Sequence, residues 1–430
     1  MKKRILVRGP ALSRSGYGEH TRATLRSLRS RDDLFDVYLH NVGWGKTGWL
    51  WEENEERIWI DHIILKTAQH TQQGGQFDVS LQVTIPNEWE KLAPINIGVT
   101  AGIETTKVSP QWVEKSMLVD HIITISDHSK QVFESSSYQA QNAQTGEIIK
   151  DFRCTTPIEV VHYPVKEYTP AELDIDFETD FNFLTVAQVS PRKNIENTIR
   201  WFVEEFVDRP VGLVVKISIQ NNSTADRLHT KHLVQGILSE YGDRKCKVYL
   251  LHGSMTDEEM TTIYQHPKIK ALVSLSHGEG FGLPIFEAVY NELPVIAPDW
   301  SGHVDFLYVP VKDKKSGKVK KRPHFAAVKY TLQPIQKDAV WDGVLQADSM
   351  WCYADQGSYK MRLREVYKDY QRFKSQSKKL NKWVRKNFTA EQQYEKVVDI
   401  VLSSLNTTEE ELDELSGWLN SLETEIVEHD

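Results

Sequence analysis

The 430-residue sequence has few cysteines, no long apolar run and no strong net charge. Its three cysteines, Cys154, Cys246 and Cys352, are far apart and lack metal-binding spacing. They favour a reducing cytoplasm over a secreted disulfide framework. No run of about 18 apolar residues occurs, and the apolar segment after the initial MKKR is very short. We therefore expect a soluble, cytoplasmic protein with no signal peptide and no membrane span.

Charge is unevenly distributed along the chain. The formal net charge is −8, but residues 409–430 contain nine acidic residues and no lysine or arginine. The rest of the chain is therefore close to neutral, which neither requires nor excludes a nucleic-acid partner. In the acidic tail 407–430, leucines recur at helical spacing from Leu412 to Leu422, so we expect an amphipathic segment that docks or mediates homodimer formation.

A dinucleotide-binding fingerprint is also missing. A predicted strand, Arg4–Arg8, is followed by a predicted loop, Pro10–Gly18, and by a helix from Glu19. The loop residues that could face a phosphate are Ser15, Gly16, Tyr17 and Gly18. Thr21 stands where the fingerprint requires its third glycine or alanine, which argues against an NAD-dependent oxidoreductase. The alternative for this segment is a tight turn without a ligand.

The most informative stretch lies in the second half of the chain. A short apolar run, Ala271–Leu275, precedes a loop with three glycines, His277–Gly282, and Pro284 suits the first position of a helix. A glycine-rich turn that leads from a strand into a helix can bind an anion through free N–H groups. Glu279 and Glu287 flank this turn, and ionised carboxylates accept hydrogen bonds from sugar hydroxyls. An ordinary strand–helix unit is the alternative.

The two glutamates, separated by seven residues in EGFGLPxxEA, give this stretch a clear resemblance. It resembles the donor-site signature of retaining GT-B glycosyltransferases, most closely family four, and the resemblance extends over about residues 4–400. It implies an α/β fold with two facing, doubly wound Rossmann-like domains. The implied segments are an acceptor-side domain (1–165), a linker (166–180), a donor domain (181–387) and a helix that crosses back to the first domain (388–406).

The same resemblance assigns roles to charged residues. Glu279 would hold the donor sugar and Glu287 the ribose. After the predicted strand Asn182–Val189, Arg192 and Lys193 can neutralise a diphosphate, because arginine makes forked contacts and lysine supplies a point charge. Lys193 matches the family pattern. The family usually also has a glycine followed by an arginine a few residues earlier, but Gln188 and Val189 occupy those positions here, so Arg192 is a less direct match. Solvated charges at a helix start are the alternative.

The family pattern also implies the donor and the wider donor site. The donor would be a nucleotide-sugar, with UDP as the nucleotide, and no metal would be required because lysine, arginine and helix N-termini stabilise the departing diphosphate. The implied donor-binding residues are Ser15, Gly16, Tyr17, Gly18, Gly253, Gly280, Phe281, Gly282, Leu283 and Glu287. Glu104 follows a predicted strand end, where open α/β sheets bind ligands, and is a fourth catalytic candidate beside Glu279, Lys193 and Arg192. A capping or ion-paired Glu104 is the alternative.

Candidate acceptor contacts come from aromatic, histidine and basic segments. Trp44 and Trp49 occupy a glycine-rich loop and could stack on a sugar or a base, or could pack that loop down. His128, at a predicted helix start, either reaches the cleft or lies at the surface. From Lys312 to Arg322, seven basic residues accompany one acid. This segment is either a solvated hairpin or an arm for a polyanionic acceptor.

Three segments narrow the resemblance further. RGPALSRSGYGEH, SLQVTIPNEW and NIGVTAGIETT resemble a branch of family four that is common in tailed-phage genomes. That branch implies 5-hydroxymethylcytosine in double-stranded DNA as the acceptor, within the host cytoplasm. A glycan, lipid or protein acceptor remains an alternative. Other classes are a sugar-nucleotide epimerase and a non-catalytic sugar-nucleotide-binding protein.

Overall fold

The computed structural model describes residues 2–141, 148–313 and 317–406. Within them, the chain forms two lobes, each built on a six-stranded parallel sheet. The first lobe contains β1 (Lys3–Gly9), α1 (Gly16–Arg29), β2 (Phe35–Asn41), α2 (Glu55–Gln72), β3 (Val79–Val83), β4 (Ile95–Thr100), α3 (Pro110–Ser116), β5 (His121–Thr124), α4 (Asp127–Ser135), β6 (Ser137–Gln141), β7 (Ile148–Arg153) and β8 (Ile158–Val160). The predicted amphipathic tail, 407–430, lies outside the described residues.

The second lobe follows after residues 161–181, which have no regular secondary structure. It contains β9 (Asn182–Gln188), α5 (Ile195–Phe206), β10 (Gly212–Ser218), α6 (Thr224–Leu238), β11 (Lys247–Leu251), α7 (Asp257–Gln265), β12 (Ile269–Val273), α8 (Leu283–Tyr290), β13 (Val295–Pro298), α9 (Val304–Leu307), β14 (Tyr308–Lys312), β15 (Val319–Pro323), β16 (Ala326–Val328), β17 (Tyr330–Pro334), β18 (Met350–Ala354), α10 (Gln356–Lys368) and α11 (Tyr370–Asn387). A last helix, α12, spans 390–406.

The strand orders place a ligand site between the lobes. The first sheet has the order β2-β1-β3-β4-β5-β8, and the second has β11-β10-β9-β12-β13-β16. The order of the first sheet reverses between β1 and β3, and that of the second between β9 and β12. Doubly wound sheets bind ligands outside the carboxyl ends of the strands at such a switch point. The predicted pair of doubly wound domains is thereby confirmed.

Both sheets are covered on two faces, because neighbouring strand residues point to opposite sides. Ile123 packs in the same cluster as residues of α1, α2 and α12, whereas Ile122 packs with residues of α3 and α4. In the second sheet, Phe183 packs with α5 and α10, and Leu184 packs with α8 and α11. The sheets are therefore fixed on both faces, and the loops at their carboxyl ends remain for function.

The last helix packs on the first lobe, although the helix before it belongs to the second. Val397, Val401 and Leu405 are buried in the core cluster around β1 and β3. At the start of this passage, the carbonyl oxygen of Phe388 accepts a hydrogen bond of 2.8 Å from the amide of Val165. The chain thus joins the lobes twice, once through residues 161–181 and once through α12.

Two predicted element boundaries are wrong. The first helix begins at Gly16 rather than Glu19, because the Ser15 side chain caps it by accepting a 3.0 Å hydrogen bond from the amide of Gly18. The basic stretch from Lys360 to Lys386, which the sequence predicts as one helical stretch, is divided between two helices, α10 and α11, which meet at Asp369 with its non-helical backbone (φ −127°, ψ 48°).

The basic insertion forms a hairpin, which is compatible with both of its interpretations. Strands β14 and β15 pair antiparallel, from Tyr308 opposite Pro323 to Lys312 opposite Val319. Gly317 adopts a positive φ of 67° in the connection. All of β15 is exposed. Among the described helices, none is both long and apolar enough to cross a bilayer.

Candidate active site

A cavity of about 890 Å³ lies between the carboxyl ends of the two sheets. Its size is in the range that accommodates a small-molecule ligand. The predicted site residues that line it are Ser15, Gly16, Tyr17, Trp44, Glu104, Arg192, Lys193, Glu279, Gly280, Phe281, Gly282, Leu283 and Glu287. Residues from the first lobe and from both halves of the second sheet therefore meet at one place.

Two helix N-termini border this cavity from opposite lobes. Gly16 begins α1, and Leu283 begins α8 after Gly282, whose φ is +92°. The first turns of both helices line the cavity. A Cβ at Gly16 would meet no atom within 4 Å, so the backbone is open to a ligand there. Helix N-termini attract anions through their free N–H groups and their dipoles. A diphosphate is the kind of group that two such termini can hold together.

Four charged side chains form a connected cluster in the cavity. Lys193 Nζ lies 2.5 Å from Glu279 Oε1, and an Arg192 nitrogen lies 3.1 Å from Glu279 Oε2. Arg192 also reaches Glu104 Oε1 of the first lobe at 3.2 Å. Lys193 and Arg192 follow β9 and Glu279 follows β12, so they meet because these adjacent strands flank the switch point. The cluster links the two lobes.

Contacts within the cluster shift the pKa values of Glu279, Arg192 and Lys193. Burial alone would raise the pKa of Glu279, but Lys193 and Arg192 outweigh burial and lower it to about 2. Burial opposes the charge of Arg192, yet Glu104 and Glu279 raise its pKa above the ordinary value. Burial and the neighbouring Arg192 lower the pKa of Lys193. The Glu279 carboxylate is therefore ionised at neutral pH, where it can accept hydrogen bonds but is a poor base.

Glu287 has the opposite environment. Burial raises the pKa of its carboxyl to about 7. Tyr264 donates a 2.7 Å hydrogen bond to Glu287 Oε2, and no lysine or arginine lies within 4 Å of this carboxylate among the described residues. A hydroxyl-bearing ligand that approaches Glu287 would provide donors that the ionised carboxylate lacks.

The glycines of the motif loop allow close contact between the lobes, in addition to the ligand contact predicted for them. A Cβ at Gly278 would lie 2.1 Å from the carbonyl oxygen of Glu104, and a Cβ at Gly280 would lie 2.2 Å from that of Ala101. These glycines allow the loop to touch the first lobe. Phe281 is only 2% exposed and packs in the core of the second lobe, so its side chain is a core residue although it borders the cavity.

Two glycines predicted to bind the donor lie outside the cavity lining. A Cβ at Gly18 would lie 1.9 Å from the carbonyl oxygen of Ser13, so close packing within the chain explains this glycine. Gly253 has a φ of +120°, and its carbonyl oxygen accepts a 2.6 Å hydrogen bond from Lys216 Nζ. Met255, two residues further on, lines the cavity instead.

Two predicted acceptor residues also lie outside it. Trp49 is 58% exposed, and its backbone pairs with Ser13, whereas Trp44 lines the cavity with its ring 4.4 Å from that of Tyr17. His128 packs edge-on against Trp300 at 4.9 Å, and burial lowers its pKa to about 4. It is a neutral residue packed between the lobes, and it is not among the residues that line the cavity.

A second charged cluster in the cavity was not predicted from the sequence. Glu19 is ion-paired to Lys166 at 2.6 Å, to Arg26 at 2.9 Å and to Arg22 at 3.1 Å. Burial would raise the pKa of Glu19, but these cations lower it below the ordinary value. A weak signal existed, because Glu19 directly follows the predicted glycine loop. The described residues contain no group of three His, Cys, Asp or Glu side chains that could bind a metal ion.

This two-lobed arrangement occurs in solved structures of GT-B glycosyltransferases. Sucrose-phosphate synthase from Thermosynechococcus elongatus matches with a TM-score of 0.58 at 13% identity, over 94% of this chain and 100% of that one. Anabaena HepE, solved with UDP and glucose, matches with a TM-score of 0.56 at 12% identity, over 93% of this chain and 100% of that one. The chain therefore has the GT-B fold.

Two further solved structures also match the chain. A glycosyltransferase from Rickettsia africae has a TM-score of 0.56 at 13% identity, with 94% of this chain and 99% of that chain covered. The pneumococcal O-GlcNAc transferase GtfA is longer: the chain spans 59% of it and 79% of its own length, at 14% identity and a TM-score of 0.47. No protein-family model matches the chain, and no curated protein matches it in sequence.

Proposed function

We propose that this protein is a retaining glycosyltransferase that moves a sugar from a UDP-sugar to an acceptor hydroxyl. The observation that carries the proposal is the cluster of Lys193, Arg192 and Glu279 between the N-termini of α1 and α8. Cations and two helix N-termini suit a diphosphate, and the adjacent carboxylate suits the hydroxyls of the sugar attached to it. HepE, which has the same fold, was solved with UDP and glucose.

In this mechanism the protein stabilises charge on the leaving group. As the sugar–phosphate bond breaks, negative charge grows on the diphosphate, and Lys193 and Arg192 together with the N–H groups of α1 and α8 offset it. Glu279 orients the sugar hydroxyls, and Glu287 accepts from the ribose. UDP leaves, and the acceptor oxygen takes its place on the anomeric carbon. The acceptor proton passes to the departing phosphate.

The state of the carboxylates distinguishes two routes to retention, and retention itself is proposed from the family resemblance. A double-displacement route needs a free carboxylate nucleophile, but Glu279 is held by two cations and Glu104 by Arg192. Attack on the same face from which the diphosphate leaves requires no such nucleophile. Glu279 then acts by holding the donor sugar, and Glu279 and Glu104 together hold Arg192 in place.

We propose 5-hydroxymethylcytosine in duplex DNA as the acceptor. Two features support it: the exposed basic hairpin β14–β15, and the aromatic residues at the cavity, where Trp44 lines the wall and Trp49 and Trp51 are exposed on the same loop. Basic ribbons contact DNA phosphates, and exposed aromatic rings stack on unpaired bases. Reaching a hydroxymethyl group inside a duplex requires the base to leave the stack.

One experiment tests donor and acceptor together. Purified protein is incubated with radiolabelled UDP-sugars and hydroxymethylated duplex, plain duplex, or glycan, lipid and peptide acceptors. We expect transfer to the hydroxymethylated duplex, and Lys193→Ala should lower the rate about 100-fold or more. Lys245→Ala removes an exposed lysine of equal charge and should leave the rate unchanged. Transfer only to another acceptor would overturn the assignment of DNA as the acceptor. An epimerised donor, or donor binding without turnover, would overturn the proposal that the protein transfers sugar. A fully active Lys193→Ala variant would overturn the proposed role of Lys193 in the active site.

A further inference from the structure

A long connection in the second lobe reaches across to the first. We call residues 335–349, between β17 and β18, the strap. The carbonyl oxygen of Gly343 accepts hydrogen bonds from Ser109 Oγ at 2.7 Å and from Asn87 Nδ2 at 3.0 Å, both in the first lobe. Val344 is 6% exposed and buried with Trp112 and other residues of the first-lobe core. The strap is therefore anchored in the first lobe.

Gly343 makes this anchor possible. Its φ is +72°, which favours glycine, and a Cβ there would lie 2.3 Å from Gln111 Oε1. Near the end of the strap, Asp348 pairs with Lys107 of the first lobe at 2.5 Å. Backbone conformation, packing and charge thus hold the strap against the loop that contains Glu104.

The strand that follows the strap connects the two loops of the charge cluster. The carbonyl oxygen of Met350 accepts a 3.0 Å hydrogen bond from the Thr106 amide, and the Met350 amide donates one of 3.0 Å to Thr106 Oγ1. Two residues later, the backbone amide of Cys352 donates to the His277 carbonyl oxygen at 2.9 Å. The carbonyl oxygen of Cys352 accepts from His277 Nδ1 at 2.6 Å. The His277 ring also stacks on buried Trp351 at 5.0 Å.

These contacts are close in sequence to the charged residues. Thr106 lies two residues after Glu104, and His277 lies two residues before Glu279. The carboxylates of Glu104 and Glu279 grip Arg192 from opposite lobes, at 3.2 and 3.1 Å. A single strand, β18, therefore fixes both loops whose carboxylates orient Arg192.

We propose that the strap and β18 are a positioning device: they hold Glu104 and Glu279 in register across the lobes, so that Arg192 points at the departing diphosphate. The inference rests on the proposed function, because it assigns the strap a part in sugar transfer. It involves no contact between the strap and the substrate. Donor affinity should depend little on the strap, since Lys193 and the two helix N-termini remain.

The test compares two glycine variants with similar backbone strain. Gly343→Ala loosens the anchor, whereas Gly74→Ala places the same strain (φ +73°) in an open turn of the first lobe. We expect Gly343→Ala to lower kcat about tenfold to a hundredfold, with the donor Kd within about twofold of the wild type, because small misplacements of catalytic groups are costly. Gly74→Ala should lose no more than about twofold in kcat. Equal effects from both variants would overturn the proposal.

A double-mutant cycle with Glu104→Gln separates positioning from general destabilisation. If the strap acts through Glu104, adding Gly343→Ala to Glu104→Gln should change kcat by less than about twofold. Independent, multiplying effects of the two substitutions on kcat would overturn the proposal.

A second readout does not depend on activity: spin labels at exposed Lys91 and Asp208, in a Cys154→Ser background, report the distance between the lobes. Gly343→Ala should broaden that distance distribution and Gly74→Ala should not; an unchanged distribution would also overturn the proposal. If the wild type transfers no sugar but this difference holds, the proposed function fails while the strap still holds the lobes in register.

Discussion

At the scale of single residues, the two glutamates of the motif have opposite electrostatic environments. Lys193 and Arg192 lower the pKa of Glu279 to about 2, whereas burial raises that of Glu287 to about 7. One carboxylate is therefore ionised throughout the physiological range, and the other titrates within it. Of these two carboxylates, only Glu287 should therefore make donor binding depend on pH in this range.

The first prediction concerns that dependence. If ribose hydroxyls donate to ionised Glu287, its proton must leave before the donor binds, so affinity rises with pH until the carboxyl is fully ionised. From pH 6 to pH 8 the ionised fraction increases about tenfold for a pKa near 7, and the association constant for a UDP-sugar should increase by about the same factor. Isothermal calorimetry measures it, and Glu287→Gln should bind more weakly with a flat profile. An unchanged pH dependence in that variant would contradict the assignment.

The sequence predicts the motif cluster better than the rest of the cavity. Glu279 and Lys193 stand in local patterns with a direct physical meaning, a glycine turn before a helix and cations after a strand. Glu19 and Lys166 are 147 positions apart in the chain, and only the folded lobes bring them together. Apart from the position of Glu19 directly after the glycine loop, nothing local distinguishes this pair from the many solvated charges of the chain.

At the scale of elements, the start of α1 has two tasks. Ser15 caps the helix by accepting from the Gly18 amide, and it also lines the cavity. Capping holds the first turn in the conformation that directs N–H groups toward a ligand. The stability of the helix and the affinity for a diphosphate should therefore be linked at this residue.

The second prediction separates those two tasks with a matched variant. Ser15→Ala should lower the free energy of unfolding by about 1 kcal/mol and weaken UDP-sugar binding severalfold. Ser223 caps α6 by accepting a hydrogen bond of 3.2 Å from the Asp226 amide, and it is not among the residues that line the large cavity. Ser223→Ala should cost a similar amount of stability and leave donor affinity unchanged. Urea denaturation and calorimetry measure both, and equal losses of affinity would show that Ser15 acts only through stability.

Elements with a strong repeat are predictable and the strap is not. The predicted strands Arg4–Arg8, Asn182–Val189 and Ala271–Leu275 are short apolar runs, and they lie within a few positions of β1, β9 and β12. Residues 335–349 have neither helical nor strand periodicity and gain their order from contacts such as Val344 in the first-lobe core. Tertiary packing, rather than local preference, determines such a segment.

At the scale of the whole molecule, positive charge is concentrated on one side of the second lobe. On β15, Lys320, Lys321 and Arg322 are exposed, and no carboxylate of the described residues pairs with them. Helix α11 packs against β14 and carries further exposed lysines, which are Lys378, Lys379, Lys382 and Lys386. A chain with a net charge of −8 therefore presents a basic ribbon beside a basic helix.

A polyanion bound at this face releases counterions, which makes binding depend steeply on salt. Each lysine or arginine that neutralises a phosphate contributes about 0.9 to the slope of log K against log salt concentration. Replacing Lys320, Lys321 and Arg322 by alanine should therefore make that slope shallower by about two to three for duplex DNA and weaken binding at low salt. The measurement is fluorescence anisotropy over a salt series.

The control removes the same charge elsewhere in the second lobe. Arg227, Lys231 and Lys245 are also exposed, and the first two lie on α6, away from the hairpin. Their triple alanine variant changes the net charge by the same amount, so any general effect of charge on DNA binding appears in both variants. A slope that changes only in the hairpin variant supports docking at β14–β15, because long-range attraction depends on total charge while counterion release depends on contact. Equal slopes in the two variants would show that DNA does not bind this hairpin and would leave its lysines as solvated surface charges.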